Sequence, residues 1–330
     1  MSEGGVAMQR DILADTSERL LLIPDDKEAW AFYKEAIQNF WTAEEIDLAG
    51  DDIDTIGPKD RHALKQVLGF FAVADGIVGE NLATNLIPLV QVGEMRAFYT
   101  FQAAIETIHA EVYSQLVTTL IRDERERDEI FASIKTKSAA TRLSKWALDW
   151  THDSNATFAE RLVAFACVEG ILFSGPFAVI FYFKTKGKLP GLCKSNEFIA
   201  RDEAQHMRFA CFLYRDRLLP SQKLSDERVH EIVGQCVRVA REFVDDAIAD
   251  MPGLNRRSMG QYVEFVADVL LTYMGVPVKY NAQNPFSWMT MIGMPAKTNF
   301  FEGRVSEYRR SSGSASALLH EPDELAIVDF

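Results

Sequence analysis

The chain has 330 residues, of which 48% are hydrophobic and 25% charged, a composition that excludes a disordered or fibrous protein. Its 48 Asp and Glu residues outnumber 35 Lys and Arg, which gives a formal net charge of −13. Because binding to a phosphate backbone needs clustered Lys and Arg, we expect no nucleic-acid partner. The 4 cysteines are too few and too scattered for a disulfide framework or a CxxC zinc site.

The first twenty residues contain Asp11, Asp15 and Glu18 and no apolar run, so we expect no signal or transit peptide and a cytoplasmic protein. Beyond them, apolar residues recur at helical spacing and no stretch alternates as a strand would, which predicts an all-α fold. Start and stop signals place the long helices at 59–86, 93–121, 155–185, 195–219, 225–250 and 258–274. Ser154 or Asn155 is the expected cap of the third helix, and 122–129 the expected solvated turn and helix start.

Segment 162–183 is long and apolar enough to span a bilayer, but Glu169 and Pro176 lie within it. An ionisable group is expensive at membrane depth. A helix that is apolar on all sides is also typical of the centre of a large helical core. We therefore expect no membrane association. The same argument predicts that Glu169 is buried and that a specific interaction keeps it there.

Two of the predicted helices carry the same pattern, Glu-x-x-His. The pairs are Glu106 with His109 and Glu203 with His206. Residues three apart share one helix face, so each pair offers a carboxylate and an imidazole to a common point. One copy arises easily by chance, whereas two copies on separate long helices indicate a metal site.

Each pair is preceded by an acid in an apolar stretch, Asp75 in one case and Glu169 in the other. Two helices with one acid each and two with Glu-x-x-His form the ligand pattern of carboxylate-bridged dimetal sites in ferritin-like bundles. The alternative is that the acids are salt-bridged core residues and the histidines lie at the surface. Two divalent ions would neutralise four carboxylates, and this ligand set suits iron or manganese.

Tyr113 follows His109 by four residues and so lies one turn along the same face. It is either an ordinary core aromatic residue or, beside an oxygen-activating metal pair, a candidate for one-electron oxidation. Phe173 and Phe177 are candidates for a dry wall around such a radical, although packing alone would also explain them.

The chain resembles the small subunit of class I ribonucleotide reductase, of the eukaryotic type, from about residue 30 to its end. The resemblance implies a ferritin-like bundle that works as part of ribonucleoside-diphosphate reductase. It is carried by the stretches FWTAEEID at 40–47, ADGIV at 74–78, VEGI at 168–171, SNE at 195–197, RDEAQH at 201–206, KTNFFE at 297–302 and VDF at 328–330.

The resemblance further implies two iron ions per chain, with manganese less expected, and dioxygen for activation. One iron would be held by Asp75, Glu106 and His109, and the other by Glu169, Glu203 and His206. Glu106 and a further carboxylate would bridge the two ions. Tyr113 matches the tyrosine that the family oxidises to a stable radical, which argues against the members that have Phe there and use a manganese/iron pair.

In the same way, Trp41, Asp202 and His109 match the family's electron-transfer chain, with Arg201 as a supporting partner. Tyr308 matches a tyrosine that relays the radical to the large subunit, where ribonucleoside diphosphates are reduced to deoxyribonucleoside diphosphates. The resemblance also implies a homodimer.

The end of the chain reads as a flexible tail. Residues 310–317 are small and polar, and Leu325, Ile327, Val328 and Phe330 form an apolar end. A frayed terminus is the simpler interpretation, but such an end is also typical of a segment that orders when it docks on a partner. We predict a helical domain over 1–304 and a docking tail over 305–330.

Two other functions fit parts of this pattern. A ferritin-like oxidase or iron-handling protein explains the metal ligands and leaves Tyr308 and the apolar tail without a role. A helical scaffold with purely structural acids needs no metal at all.

Overall fold

The computed structural model describes residues 10–14, 22–135, 139–247, 251 and 254–289. Within these residues the structure is helical and has no strand, which confirms the all-α prediction. The helices are α1 (Lys27–Gln38), α2 (Pro58–Asn81), α3 (Ile87–Leu89), α4 (Gly93–Leu120), α5 (Glu124–Lys135), α6 (Ala139–His152), α7 (Phe158–Cys167), α8 (Phe173–Thr185), α9 (Pro190–Phe212), α10 (Asp226–Ala247) and α11 (Arg256–Met274), with short 3₁₀ turns at Ala43–Glu45, Ile53–Thr55, Pro220–Gln222 and Ser287–Met289.

Three long helical runs contain a wider π-helical turn, at Leu82–Leu86, Val168–Leu172 and Leu213–Arg217. The second joins α7 to α8, so the run predicted at 155–185 exists but is not one regular helix. In a regular helix the Pro176 ring would collide with the carbonyl of residue 172, the residue at which this turn ends. The wider turn lets the chain stay helical through Pro176.

Several predicted helix ends differ from the structure. The cap of α7 is Thr157, so the expectation of Ser154 or Asn155 was wrong. Thr157 and Glu160 form a reciprocal capping box, in which the Thr157 N–H donates to the Glu160 carboxylate at 2.9 Å. Helix α9 begins at Pro190 rather than 195, with proline at its first position. Helices α1 and α6 were not predicted.

The core forms where α2, α4, α7, α8 and α9 pack on one another. Two runs, Pro58–Leu89 and Phe158–Thr185, are long and apolar enough to cross a membrane by length and composition alone. In the structure 61% and 94% of their most apolar windows are buried inside the protein, as expected for core helices. The described residues belong to one compact unit. The predicted boundary at 304/305 lies outside them and stays a prediction.

The start of α9 is fixed by a buried acid from a distant loop. Asp51 accepts hydrogen bonds from the backbone N–H groups of Gly191 and Leu192, both at 2.7 Å. A Cβ atom at Gly191 would lie 2.4 Å from the Asp47 carbonyl oxygen, so glycine permits this close approach. Because α9 carries the second Glu-x-x-His pair, this contact positions two of the six predicted ligands.

We expect Asp51→Ala to lower the free energy of unfolding by about 2 kcal/mol, since it leaves two N–H groups at a helix start unpaired. Urea unfolding followed by circular dichroism measures this loss. Asp54→Ala is the control, because the Asp54 side chain is 72% exposed and only pairs with Arg61 at the surface. Equal losses in the two variants would contradict the assigned role of Asp51.

Candidate metal centre

The six residues predicted as metal ligands all lie in the interior of the bundle. Asp75 comes from α2, Glu169 from the π-helical turn between α7 and α8, and the two Glu-x-x-His pairs from α4 and α9. No member of the set is more than 3% exposed. The alternative in which the histidines lie at the surface is therefore wrong.

Four of these residues form one compact group. A ligand atom from each of Glu106, Glu169, Glu203 and His206 lies within 4.8 Å of the others. The Nδ1 atom of His206 is 3.0 Å from a Glu203 oxygen and 3.0 Å from a Glu106 oxygen. Glu106 and Glu203, almost a hundred positions apart in the chain, thus meet at one imidazole nitrogen.

His109 contacts the same two glutamates from the other side. Its Nδ1 atom is 3.2 Å from the second Glu106 oxygen and 3.0 Å from the second Glu203 oxygen. Glu106 and Glu203 therefore each present one oxygen to each imidazole. This is the placement expected of two carboxylates that bridge two cations, one near each histidine.

The remaining acids have oxygen atoms without a hydrogen-bond donor. Within the described residues, neither oxygen of Asp75 and not the Oε2 oxygen of Glu169 accepts a hydrogen bond. Burial and the neighbouring charges, Glu106 for Asp75 and Glu203 for Glu169, raise the pKa of both carboxyls well above their usual values. Buried carboxylate oxygens that no donor satisfies are free to coordinate cations.

The histidines alone do not neutralise the cluster. Burial by itself lowers the pKa of a histidine, but the carboxylates reverse this effect and raise the pKa of His206 to about 9 and that of His109 well above its usual value. When all four carboxyls are ionised, two imidazolium ions balance only half of their charge, so full ionisation of Asp75 and Glu169 requires further cations. The donor set therefore fits two divalent cations, whose hard character suits carboxylate and imidazole ligands.

We expect metal to contribute strongly to stability. Ferrous or manganous ion at 1,000 times its dissociation constant should add about 4 kcal/mol to the free energy of unfolding. Calorimetry under anaerobic conditions, with and without a chelator, measures this as a rise in Tm. In the control variant Glu106→Ala the rise should shrink. A Tm that does not respond to either ion would contradict the metal site.

Tyr113 is fully buried next to this cluster. Its hydroxyl donates a hydrogen bond to the side-chain oxygen of Asn196 at 2.8 Å. Burial, followed by the charges of Asp75, Glu203 and Glu106, raises the tyrosine pKa well above its usual value. The residue is thus kept as the neutral phenol.

The aromatic ring that stacks on Tyr113 is Phe71, and not Phe173 or Phe177 as expected from the sequence. Phe71 stacks on the Tyr113 ring, with centroids 4.5 Å apart and planes inclined by 7°. Phe173 and Phe177 pack behind it, at 5.6 and 5.1 Å from the Phe71 ring. Phe71 lies four residues before Asp75 on α2, so helical spacing was the signal that could have identified it.

The predicted electron-transfer residues form one hydrogen-bonded chain. The Trp41 indole N–H donates to Asp202 Oδ2 at 2.7 Å, and the same oxygen lies 3.3 Å from His109 Nε2. Arg201 donates twice to the other Asp202 oxygen, at 2.9 and 2.8 Å. The chain thus runs from Trp41 to the imidazole whose other nitrogen faces the cluster. Tyr308 lies outside the described residues.

Sequence reasoning missed Gln102, one turn before Glu106 on α4. Its side-chain N–H donates to Glu169 Oε1 at 2.9 Å. Because the Gln102 amide carries no charge, this bond orients the Glu169 carboxylate without neutralising its negative charge. The four-residue spacing to Glu106 was a usable signal, but glutamine at such a spacing is common on any helix.

Comparison with known proteins identifies the family of the chain. The family model described as "Ribonucleotide reductase, small chain" matches residues 20–285. The chain belongs to this family. It is 49% identical over 312 residues to the ribonucleoside-diphosphate reductase small chain of Nicotiana tabacum, covering 93% of this chain and 94% of that one. The relative from Mesocricetus auratus, subunit M2, is 43% identical over 316 residues, covering 94% and 81%.

Solved structures agree with the fold. The ribonucleotide reductase Rnr4 homodimer from Saccharomyces cerevisiae superposes with a TM-score of 0.78 at 32% identity, covering 90% of this chain and 92% of that one. The dimanganese(II)-NrdF of Streptococcus sanguinis gives 0.71 at 19% identity, covering 78% and 92%, which supports the fold alone. The protein is therefore a small subunit of ribonucleoside-diphosphate reductase, an oxidoreductase, with a ferritin-like bundle.

Proposed function

We propose that this small subunit holds two iron ions and uses them with dioxygen to form a radical on Tyr113. The observation that carries the proposal is the buried Tyr113 phenol, one helical turn from His109 and beside a cluster whose donor set fits two divalent cations. Iron in this setting supplies the reduction of dioxygen and with it a one-electron oxidant.

The six residues divide into three pairs of ligands. Asp75 and His109 would serve one ion, Glu169 and His206 the other, and Glu106 and Glu203 both ions. The contacts of both glutamates with both imidazoles support this division. Stacking of Phe71 on Tyr113 and the packed phenylalanines behind it exclude water, which a long-lived phenoxyl radical requires.

We further propose that the oxidising equivalent leaves through His109, Asp202 and Trp41 and reaches the large subunit through Tyr308. The large subunit would then reduce ribonucleoside diphosphates to deoxyribonucleoside diphosphates for DNA replication. Docking by the tail at 305–330, a homodimer and a cytoplasmic location belong to the same proposal. The membership of the chain in the family supports a large-subunit partner.

Reconstitution tests the radical directly. Metal-free protein receives ferrous iron under argon and is then exposed to dioxygen, and paramagnetic resonance and iron analysis follow. We expect two irons per chain and a tyrosyl signal. A parallel sample with manganous ion tests the second metal, since a dimanganese structure is known for the Streptococcus sanguinis protein. Full iron loading and dioxygen uptake without a tyrosyl signal would contradict the proposal.

The two other functions considered from the sequence have less support. An independent oxidase would not need the Trp41 to His109 chain, which leads away from the cluster to the segment between α1 and the Ala43–Glu45 turn. A scaffold with structural acids would pair them, whereas both Asp75 oxygens are without a donor among the described residues. Deletion of the last seven residues distinguishes an independent oxidase from a reductase subunit. An independent oxidase would keep its oxidase activity without these residues.

A further inference from the structure

The partner of the Tyr113 hydroxyl has a role that the proposed function does not include. Asn196 and Tyr113 are both fully buried, and 2.8 Å separates the asparagine Oδ1 atom from the phenol oxygen. The two residues are 83 positions apart in the chain, so only the packing of α4 on α9 brings them together.

The pair occupies a defined layer of the bundle. Tyr113 follows Glu106 by seven residues on α4, and Asn196 precedes Glu203 by seven on α9. Glu106 lies near Glu203 and Tyr113 contacts Asn196, so later residues of α4 meet earlier residues of α9 and the two helices run antiparallel. Two helical turns place the Tyr113 and Asn196 pair roughly 10 Å along the axis from the two glutamates. The hydrogen bond is thus set by the same two helices that hold both Glu-x-x-His pairs.

The asparagine amide is held in one orientation. Its Nδ2 atom donates to the Leu192 carbonyl at 2.9 Å and approaches the Ser195 hydroxyl at 3.5 Å. A flipped amide would turn its oxygen toward the Leu192 carbonyl and lose that bond. Asn196 is therefore an acceptor toward Tyr113, and the phenol is the donor.

We propose that Asn196 is a positioning residue that stabilises the reduced form of Tyr113 and leaves the radical without a hydrogen bond. This inference rests on the proposed function. Oxidation would remove one electron, taken up by the oxidant that bound iron and dioxygen would supply, and one hydroxyl proton, for which the neighbouring carboxylates Asp75, Glu203 and Glu106 would be the acceptors. A neutral amide oxygen is too weak a base to take that proton. Once the proton has left, two acceptor oxygens face each other and no hydrogen bond connects them.

The consequence is a more strongly oxidising radical. A hydrogen bond that exists only in the phenol state favours that state, and one bond of ordinary net strength shifts an equilibrium by roughly fivefold. Asn196→Leu removes the acceptor and keeps the branching of the side chain at Cγ. The Leu192 carbonyl stays satisfied in that variant, because it already accepts the backbone N–H of residue 196 within α9.

The first test uses metal-free protein. Tyrosine labelled at the ζ carbon gives a resonance that responds to hydrogen bonding of the hydroxyl, and Tyr113→Phe identifies the resonance of Tyr113. We expect it to shift in Asn196→Leu and to stay in place in Asn85→Leu. Asn85 is the matched control, a buried asparagine with its own hydrogen bonds to Asn81 and Thr151. Asn196→Ala serves if the leucine variant does not fold.

The second test uses reconstituted protein equilibrated with a redox mediator. We expect the ratio of radical to tyrosine to rise roughly fivefold in Asn196→Leu, and not in Asn85→Leu. After exchange into heavy water, double resonance of the wild-type radical should show no strongly coupled deuteron. An unshifted Tyr113 resonance, an unchanged ratio or a coupled deuteron would each overturn the inference. Absence of any wild-type radical would overturn the proposed function instead, while a shifted resonance would still support the role of Asn196.

Discussion

Tyr113→Phe is expected to eliminate the tyrosyl radical and to reduce nucleotide reduction by the assembled enzyme to background. Phenylalanine keeps the stacking on Phe71 but has no hydroxyl to oxidise. Iron binding should be unchanged, since Tyr113 is not a ligand. Stability should fall by about 1–3 kcal/mol, because the buried Asn196 oxygen loses its donor. Paramagnetic resonance, iron analysis, a nucleotide-reduction assay with the large subunit and urea unfolding measure the four quantities.

Tyr99→Phe is the matched control for that variant. Tyr99 is a fully buried tyrosine on the same helix, and its hydroxyl has no hydrogen-bond partner among the described residues. We expect this variant to keep the radical and the activity. If Tyr99→Phe lost the signal and Tyr113→Phe kept it, the radical would belong to Tyr99 and the proposed role of Tyr113 would be wrong.

The second large effect is expected in Asp202→Asn. The Asp202 carboxylate accepts from Trp41 and Arg201 and faces His109 Nε2. An amide is uncharged and has only one acceptor oxygen, so Arg201 competes for it with Trp41 and His109, and the imidazole loses its ionised partner. Loss of such a partner behind a metal ligand reduces metal affinity or activity roughly 10- to 100-fold. Iron titration and the nucleotide-reduction assay measure the two effects separately.

Asp268→Asn controls for the general effect of replacing a buried aspartate. Asp268 is 6% exposed and accepts hydrogen bonds from the backbone of Lys279, Tyr280 and Ala282. This variant should lose stability without losing iron or activity. Parallel losses of iron affinity in both variants would mean that Asp202 acts through stability alone.

The long helices and the buried cluster of acids and histidines could be predicted because their signals are local. Apolar spacing and the two Glu-x-x-His pairs need only neighbouring residues, and the four acids identified from them are all buried. The missed helices α1 and α6 are short, and tertiary packing stabilises them more than their own sequence does. The π-helical turns have no sequence signal that separates them from a regular helix.

The inner details of the site could not be predicted from the sequence for another reason. The Tyr113 to Asn196 and Trp41 to Asp202 hydrogen bonds join residues 83 and 161 positions apart. Such pairs depend on the relative rotation of packed helices, which no local pattern determines. The resemblance to the family indicated Trp41 and Asp202 because it carries that tertiary information, whereas the role of Asn196 is visible only in the structure.

The burial of all six predicted ligands would also control how the protein acquires metal. No ligand is more than 3% exposed, so an ion reaches them only when part of the bundle opens transiently. Glu169 lies in the π-helical turn between α7 and α8, where the regular ladder of backbone hydrogen bonds is already interrupted. Loading should therefore follow the kinetics of local opening, with a rate that stops increasing at high metal concentration, and release should be no faster than this opening.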